Sequence, residues 1–124
     1  NNIKKKKITF LGVTFKAGTD DMRESPSLNL IPALSKKGAE INYYDPTGIK
    51  NEFNKFKNVK YYPSLNQACK NSDLLIIHTE WNEFKQINFK KIFKNKNFKI
   101  YDMRNLYSPL KMKRNKINYF GIGR

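Results

Sequence analysis

The chain has 124 residues, a net charge of +15 and one cysteine, Cys69. That length suits a single domain able to bury about 65% of its unfolded surface, and a composition of 39% hydrophobic and 14% aromatic residues excludes disorder. A lone cysteine excludes an internal disulfide, which agrees with a reducing, cytoplasmic setting, and the absence of a long apolar run excludes a membrane-spanning helix.

Asn1 to Lys7 is charged and precedes only a short apolar run, so it does not read as a secretory signal. Ile8 to Leu11 predicts a buried strand ending at Gly12. A loop follows from Val13 to Glu24. Ser25 and Pro26 supply a helix cap and a first-turn proline, with Leu28, Leu30, Ile31, Ala33 and Leu34 as the apolar face and Gly38 as the stop. Pro32 breaks the pattern and predicts a kink or a delayed start. Glu40 to Tyr44 is the second strand, turned by Asp45-Pro46-Thr47-Gly48.

Asn51 to Phe56 reads as a short helix and Val59 to Tyr62 as a third strand stopped by Pro63. Ser64 caps a helix running to Cys69, with Leu65, Ala68 and Cys69 inward. Leu74 to Ile77 is the clearest buried strand. Trp81 to Gln86 is a loop or helical turn, Phe89 to Phe93 a short helix, Phe98 to Tyr101 a strand ending at Asp102, and Ile117 to Phe120 a last strand. Strands alternating with helices, and written as apolar runs, predict an α/β Rossmann-like sandwich: a mostly parallel sheet with helices on both faces. Such sheets bind ligands beyond the carboxyl ends of their strands. Those ends are Gly12 to Arg23, Asp45 to Gly48, His78 to Trp81 and Asp102 to Asn105.

The positive charge invites a nucleic-acid-binding reading. Against it, 21 of the 25 basic residues are lysine and asparagines number 16, a bias that A/T-rich codons explain without any nucleic-acid surface. Direct nucleic-acid binding is therefore set aside as the competing class. The same bias makes the arginines informative, because Arg23, Arg104, Arg114 and Arg124 stand where the chain otherwise drifts to lysine. A planar, bidentate donor is the chemistry lysine cannot copy.

The segment Gly12 to Pro26 sits where a nucleotide-binding α/β domain places its phosphate loop. It has neither a GxGxxG fingerprint nor a P-loop. It offers Lys16, the aromatic Phe15, the acidic pair Asp20 and Asp21, and Arg23 near a helix N-terminus, a set suited to a phosphate. An equally weighted alternative is that the acids and Arg23 pair with one another and merely stiffen the loop.

This segment resembles the F-K-x-x-T-D-D-x-R-x-S-P stretch that opens the C-terminal domain of the UDP-glucose/GDP-mannose dehydrogenase family. Further resemblances follow in the family's order: Tyr44-Asp45-Pro46; Thr79-Glu80-Trp81-Asn82-Glu83-Phe84, like T-E-W-x-E-F; Asp102-Met103-Arg104-Asn105, like D-x-R-N; and Tyr119 to Arg124. The resemblance covers nearly the whole chain, read as residues 1–124 of a single nucleotide-sugar-binding domain.

Its implications are specific. Phe15, Lys16 and Arg104 would hold the UDP-sugar, and Arg23 would reach the NAD carried mainly by an N-terminal domain outside these residues. The implied reaction oxidises UDP-glucose to UDP-glucuronate with two NAD⁺. The catalytic cysteine belongs to a central region also outside these residues, so this stretch alone is expected to be inactive, with no catalytic residue of its own. Family members commonly dimerise through that central region. The T-E-W-x-E-F resemblance favours UDP-glucose over GDP-mannose or UDP-N-acetylmannosamine. Cys69 reads as a buried core thiol, His78 as a strand end with a satisfied hydrogen bond, and Trp81 as core or interface packing. No paired His/Cys spacing suggests a metal.

Overall fold

The computed structural model describes residues 3–94 and 97–123. Arg124, the last of the arginines, lies outside them. Among the described residues six strands form one sheet: β1 (Lys7–Leu11), β2 (Glu40–Tyr44), β3 (Val59–Tyr61), β4 (Leu74–Ile77), β5 (Lys99–Asp102) and β6 (Asn118–Gly121). Every pairing is parallel, in the order β3-β2-β1-β4-β5-β6. The described α-helices between them are α1 (Ser27–Lys36), α2 (Leu65–Cys69), α3 (Phe89–Ile92) and α4 (Pro109–Arg114). Turns of 3₁₀ helix at Asn51–Phe53 and Asn82–Gln86 complete the crossovers. No helix among the described residues is long and apolar enough to cross a membrane.

The apolar runs form central strands because both of their faces are covered. Leu75 and Ile77 point into a cluster with Cys69, Phe84, Phe89, Ile100 and Met112. Ile76 points the other way, toward Phe10, Ile31, Ile41 and Tyr43. Alternate residues of one strand thus fill two cores. α1 ends in a left-handed cap: Gly38, at φ +91°, donates to Ser35 O at 3.0 Å, and Ala39 donates to Leu34 O at 3.3 Å.

The Ser25 hydroxyl caps as expected, accepting Ser27 N–H at 3.3 Å, and it also donates to Val13 O at 2.6 Å. Two sequence expectations change. Pro32 does not interrupt α1, which runs continuously from Ser27 to Lys36. The helix α4 was not expected at all, although Ser108 caps it by accepting from the Lys111 N–H and Pro109 opens it.

The order of the strands reverses between β1 and β4, so the crevice for a ligand lies beyond their carboxyl ends. Ile77 closes β4 just below that crevice and is fully buried. Replacing Ile77 with alanine is expected to cost about 2–5 kcal/mol, read from the midpoint of urea unfolding; a loss under about 1 kcal/mol would mean that this core collapses readily around the gap.

Candidate functional site

At the crevice the backbone of β1 comes against the loop after β4. Gly12 has φ +77°, and a Cβ there would lie 2.5 Å from Thr79 Cβ. Glycine is required by both the backbone angle and the contact. The Thr79 hydroxyl donates to Thr14 O at 3.0 Å, Val13 N–H donates to Asp45 Oδ2 at 2.8 Å, and Ser25 and Ser27 both donate to Val13 O at 2.6 Å. The root of the β1–α1 loop is therefore tied to β2, β4 and α1.

Beyond its root the loop closes on itself. Phe15 N–H donates to Asp21 O at 2.9 Å, and Asp21 N–H donates to Thr19 Oγ1 at 3.1 Å. Arg23 returns to Asp21 through its backbone N–H at 2.9 Å, its Nε at 3.1 Å and its Nη2 at 3.0 Å. The hydrogen bond from Arg23 holds the Asp21 carboxyl below its ordinary range, and the same bond raises the arginine. The side chain of Arg23 is nonetheless 89% exposed, so this pair is a surface bridge of modest strength. The stiffening contact weighed from the sequence is thus present for Asp21 and Arg23.

Arg104 joins this loop to the other side of the crevice. Its backbone N–H donates to Asp102 Oδ1 at 3.0 Å. Its Nε donates to His78 O at 2.8 Å and its Nη2 to Phe15 O at 3.0 Å. One guanidinium thus touches the loops after β1 and β4 while rooted after β5. Asp102, which sets the Arg104 backbone, is buried but accepts Tyr107 N–H at 3.0 Å and Tyr119 OH at 2.7 Å through its other oxygen. Those donors replace the water it has lost.

Phe15, Lys16 and Arg104 therefore share one rim. Phe15 is 43% exposed, and Lys16 is exposed beside it. Arg23 stands on the same loop, where Phe15, Asp21, Arg23 and Glu24 line a shallow groove. Sequence reasoning found the charged members of the rim. It did not find Gly12, Thr79 and Asp102 as the residues that set its shape, although a glycine at the end of a strand was a usable signal.

His78 lies under this rim, fully buried. Its Nδ1 is 3.0 Å from Thr79 Oγ1, whose own proton goes to Thr14 O. This chain of bonds puts the imidazole proton on Nδ1. The Nδ1 bond meets the expectation of a strand-end histidine with a satisfied hydrogen bond, while Nε2 is left without one. Burial, helped by the charge of Arg104, pushes the His78 pKa down to about 4. Cys69 is buried, and that burial pushes its thiol up to about 12, away from nucleophilic character. Trp81 packs partly buried against the core, with its Nε1 unpartnered.

Residues 9–109 match the UDP-glucose/GDP-mannose dehydrogenase family, UDP binding domain. The chain is 38% identical to the UDP-glucose 6-dehydrogenase of Rickettsia prowazekii, over 98% of this chain and 29% of that protein. It is 36% identical to the UDP-glucose 6-dehydrogenase of Rhizobium meliloti, over 99% and 28%. An NDP-N-acetyl-D-galactosaminuronic acid dehydrogenase from Methanosarcina mazei superposes with a TM-score of 0.83 at 25% identity, over 99% of this chain and 26% of that one. The chain thus spans under a third of the length of the curated relatives it matches.

The depressed His78 pKa makes a pH test. A histidine whose folded pKa lies below its unfolded value stabilises the fold above about pH 6.5, and that contribution is lost as pH falls toward about 4. Unfolding free energy is expected to fall through this window, and His78→Asn, which keeps a donor near Nδ1, is expected to flatten the histidine's share, a loss of a few kcal/mol at most by linkage. An unchanged pH profile in the variant would contradict the assignment.

Proposed function

This chain belongs to the UDP-glucose/GDP-mannose dehydrogenase family as its UDP binding domain, and we propose that it holds the diphosphate of a UDP-sugar between Lys16 and Arg104. The observation that carries this reading is the bond from Arg104 to the Phe15 carbonyl, which sets both cations on one rim at the switch point of the sheet. A guanidinium has five N–H groups. The two spent on the carbonyls of His78 and Phe15 leave the outer edge for phosphate oxygens. Lys16 adds a flexible second charge, and the exposed face of Phe15 offers packing for the base or ribose.

In the longer polypeptide the proposed reaction is the oxidation of UDP-glucose to UDP-glucuronate, with two NAD⁺ taking the two hydrides and one water supplying the added carboxylate oxygen. The nucleotide-sugar binds here, and the residues that do the chemistry come from other domains. NAD supplies the hydride acceptor when bound. Arg23 is proposed to face it, exchanging part of its bridge to Asp21 for a phosphate contact. The reading places the protein in the cytoplasm, as a homodimer through the central region. UDP-glucose is preferred because the curated relatives carry that name, and the sugar itself is contacted mainly by other domains.

Thermal unfolding with UDP and GDP tests the binding role. A ligand at about 100 times its Kd stabilises by about 2.7 kcal/mol, so UDP is expected to raise the melting temperature by several degrees and GDP by less at equal concentration. Lys16→Ala removes an exposed side chain, so the unliganded melting temperature should hold while UDP affinity falls about tenfold, the usual loss for a charged hydrogen bond. Equal shifts with UDP and GDP, or full UDP affinity in Lys16→Ala, would contradict the proposal.

A further inference from the structure

Among the described lysines only Lys50 is buried, at 6% exposure. Drift toward A/T-rich codons adds lysine where side chains reach water. It does not account for an ammonium taken out of water, which needs a polar partner in exchange. Lys50 finds one at the carboxyl end of β2. Gly48, at φ +94°, donates its N–H to Asp45 O at 2.9 Å and turns the chain back on itself. Lys50 N–H then donates to Tyr43 OH at 2.8 Å, and Lys50 Nζ donates to Thr47 Oγ1 at 2.6 Å. Thr47 Oγ1 donates to Asp45 Oδ1 at 2.5 Å, and Asp45 Oδ2 accepts Val13 N–H at 2.8 Å.

We infer, resting on the reading of the rim as a UDP site, that Lys50 is a positioning residue for the nucleotide. It acts through Thr47 and Asp45 on the loop that carries Phe15 and Lys16. The bonds have a fixed direction. An ammonium can only donate, so the Thr47 hydroxyl accepts from Lys50 and sends its single proton to Asp45. A charge at one end of such a chain polarises the links after it. At the other end the Val13 peptides are held on both sides, the N–H by Asp45 and the C=O by Ser25 and Ser27. Phe15, two residues on, presents the carbonyl that accepts Arg104 Nη2 at 3.0 Å, and Lys16 follows it. Lys50 thus helps set the spacing of Lys16 and Arg104 without touching the ligand. Thr47 is itself exposed. Without Lys50 its hydroxyl is free to turn toward water, and Asp45 then loses a donor.

Calorimetric titration of the 124-residue chain with UDP, together with amide hydrogen exchange at Val13, tests this. Lys50→Met keeps most of the apolar stem and removes the charge. Thr47→Val keeps the shape of the side chain and removes the link. Each is expected to weaken UDP binding about tenfold and to speed Val13 exchange about tenfold. Thr47→Ser, which restores the hydroxyl, should match the wild type in both. Lys57→Met removes the same charge from an exposed position and should leave both unchanged. Thr47 is exposed, so the Thr47 pair decides alone if Lys50→Met does not fold. Wild-type affinity in Lys50→Met and Thr47→Val, while Lys16→Ala still weakens UDP, would overturn the inference and leave the rim standing. So would Thr47→Ser binding as weakly as Thr47→Val, unchanged Val13 exchange in both variants, or an equal loss in Lys57→Met. A wild-type chain that does not bind UDP would remove the reading of the rim and the role of Lys50 with it.

Discussion

The rim of this domain is held by one guanidinium. Arg104 leaves β5 and donates to carbonyl oxygens of two other connections, His78 after β4 and Phe15 after β1. These bonds satisfy two backbone acceptors at the mouth of the crevice. Lysine has no planar fork with which to satisfy both at once. The bonds bring the strand ends on either side of the switch point into one surface, and that surface carries Lys16 and the face of Phe15.

Each neighbouring feature follows from this arrangement. Arg104 needs a fixed backbone, which buried Asp102 supplies through one oxygen while the other is satisfied by Tyr107 and Tyr119. The loop after β1 needs close approach to β4, which only glycine at position 12 permits beside Thr79. Burial, together with the positive charge of Arg104, keeps His78 neutral beneath the rim. Cations at the top are thus left to face solvent and ligand above a neutral imidazole. Arg23 sits apart from this unit, bridged to Asp21 on the exposed side of the same loop.

Much of the fold was legible because local pattern and tertiary environment agree. Leu74 to Ile77 reads as a buried strand and is one, since both of its faces meet cores. Gly38 stops α1 as its left-handed preference requires. The helix α4 escaped notice because Pro109–Arg114 buries only Met112, leaving no apolar period to read. The Ser25 cap was legible, but its second bond, to Val13 O, was not, because that partner is distant in sequence. At the site, the charged side chains were visible as residue types. Their geometry was not, because the groups that position Arg104 are backbone carbonyls, which no sequence pattern displays. The exposure of Tyr101 and Phe120 was hidden for a related reason: both look like core residues, and only the placement of the covering helices exposes them.

Crystals of this domain grown with UDP would show whether the rim is the diphosphate site. Diphosphate oxygens are expected within about 3 Å of both Lys16 Nζ and the outer edge of Arg104, with the bonds to His78 O and Phe15 O retained. UDP bound elsewhere on the sheet, or bound at the rim with Arg104 turned away from both carbonyls, would contradict it.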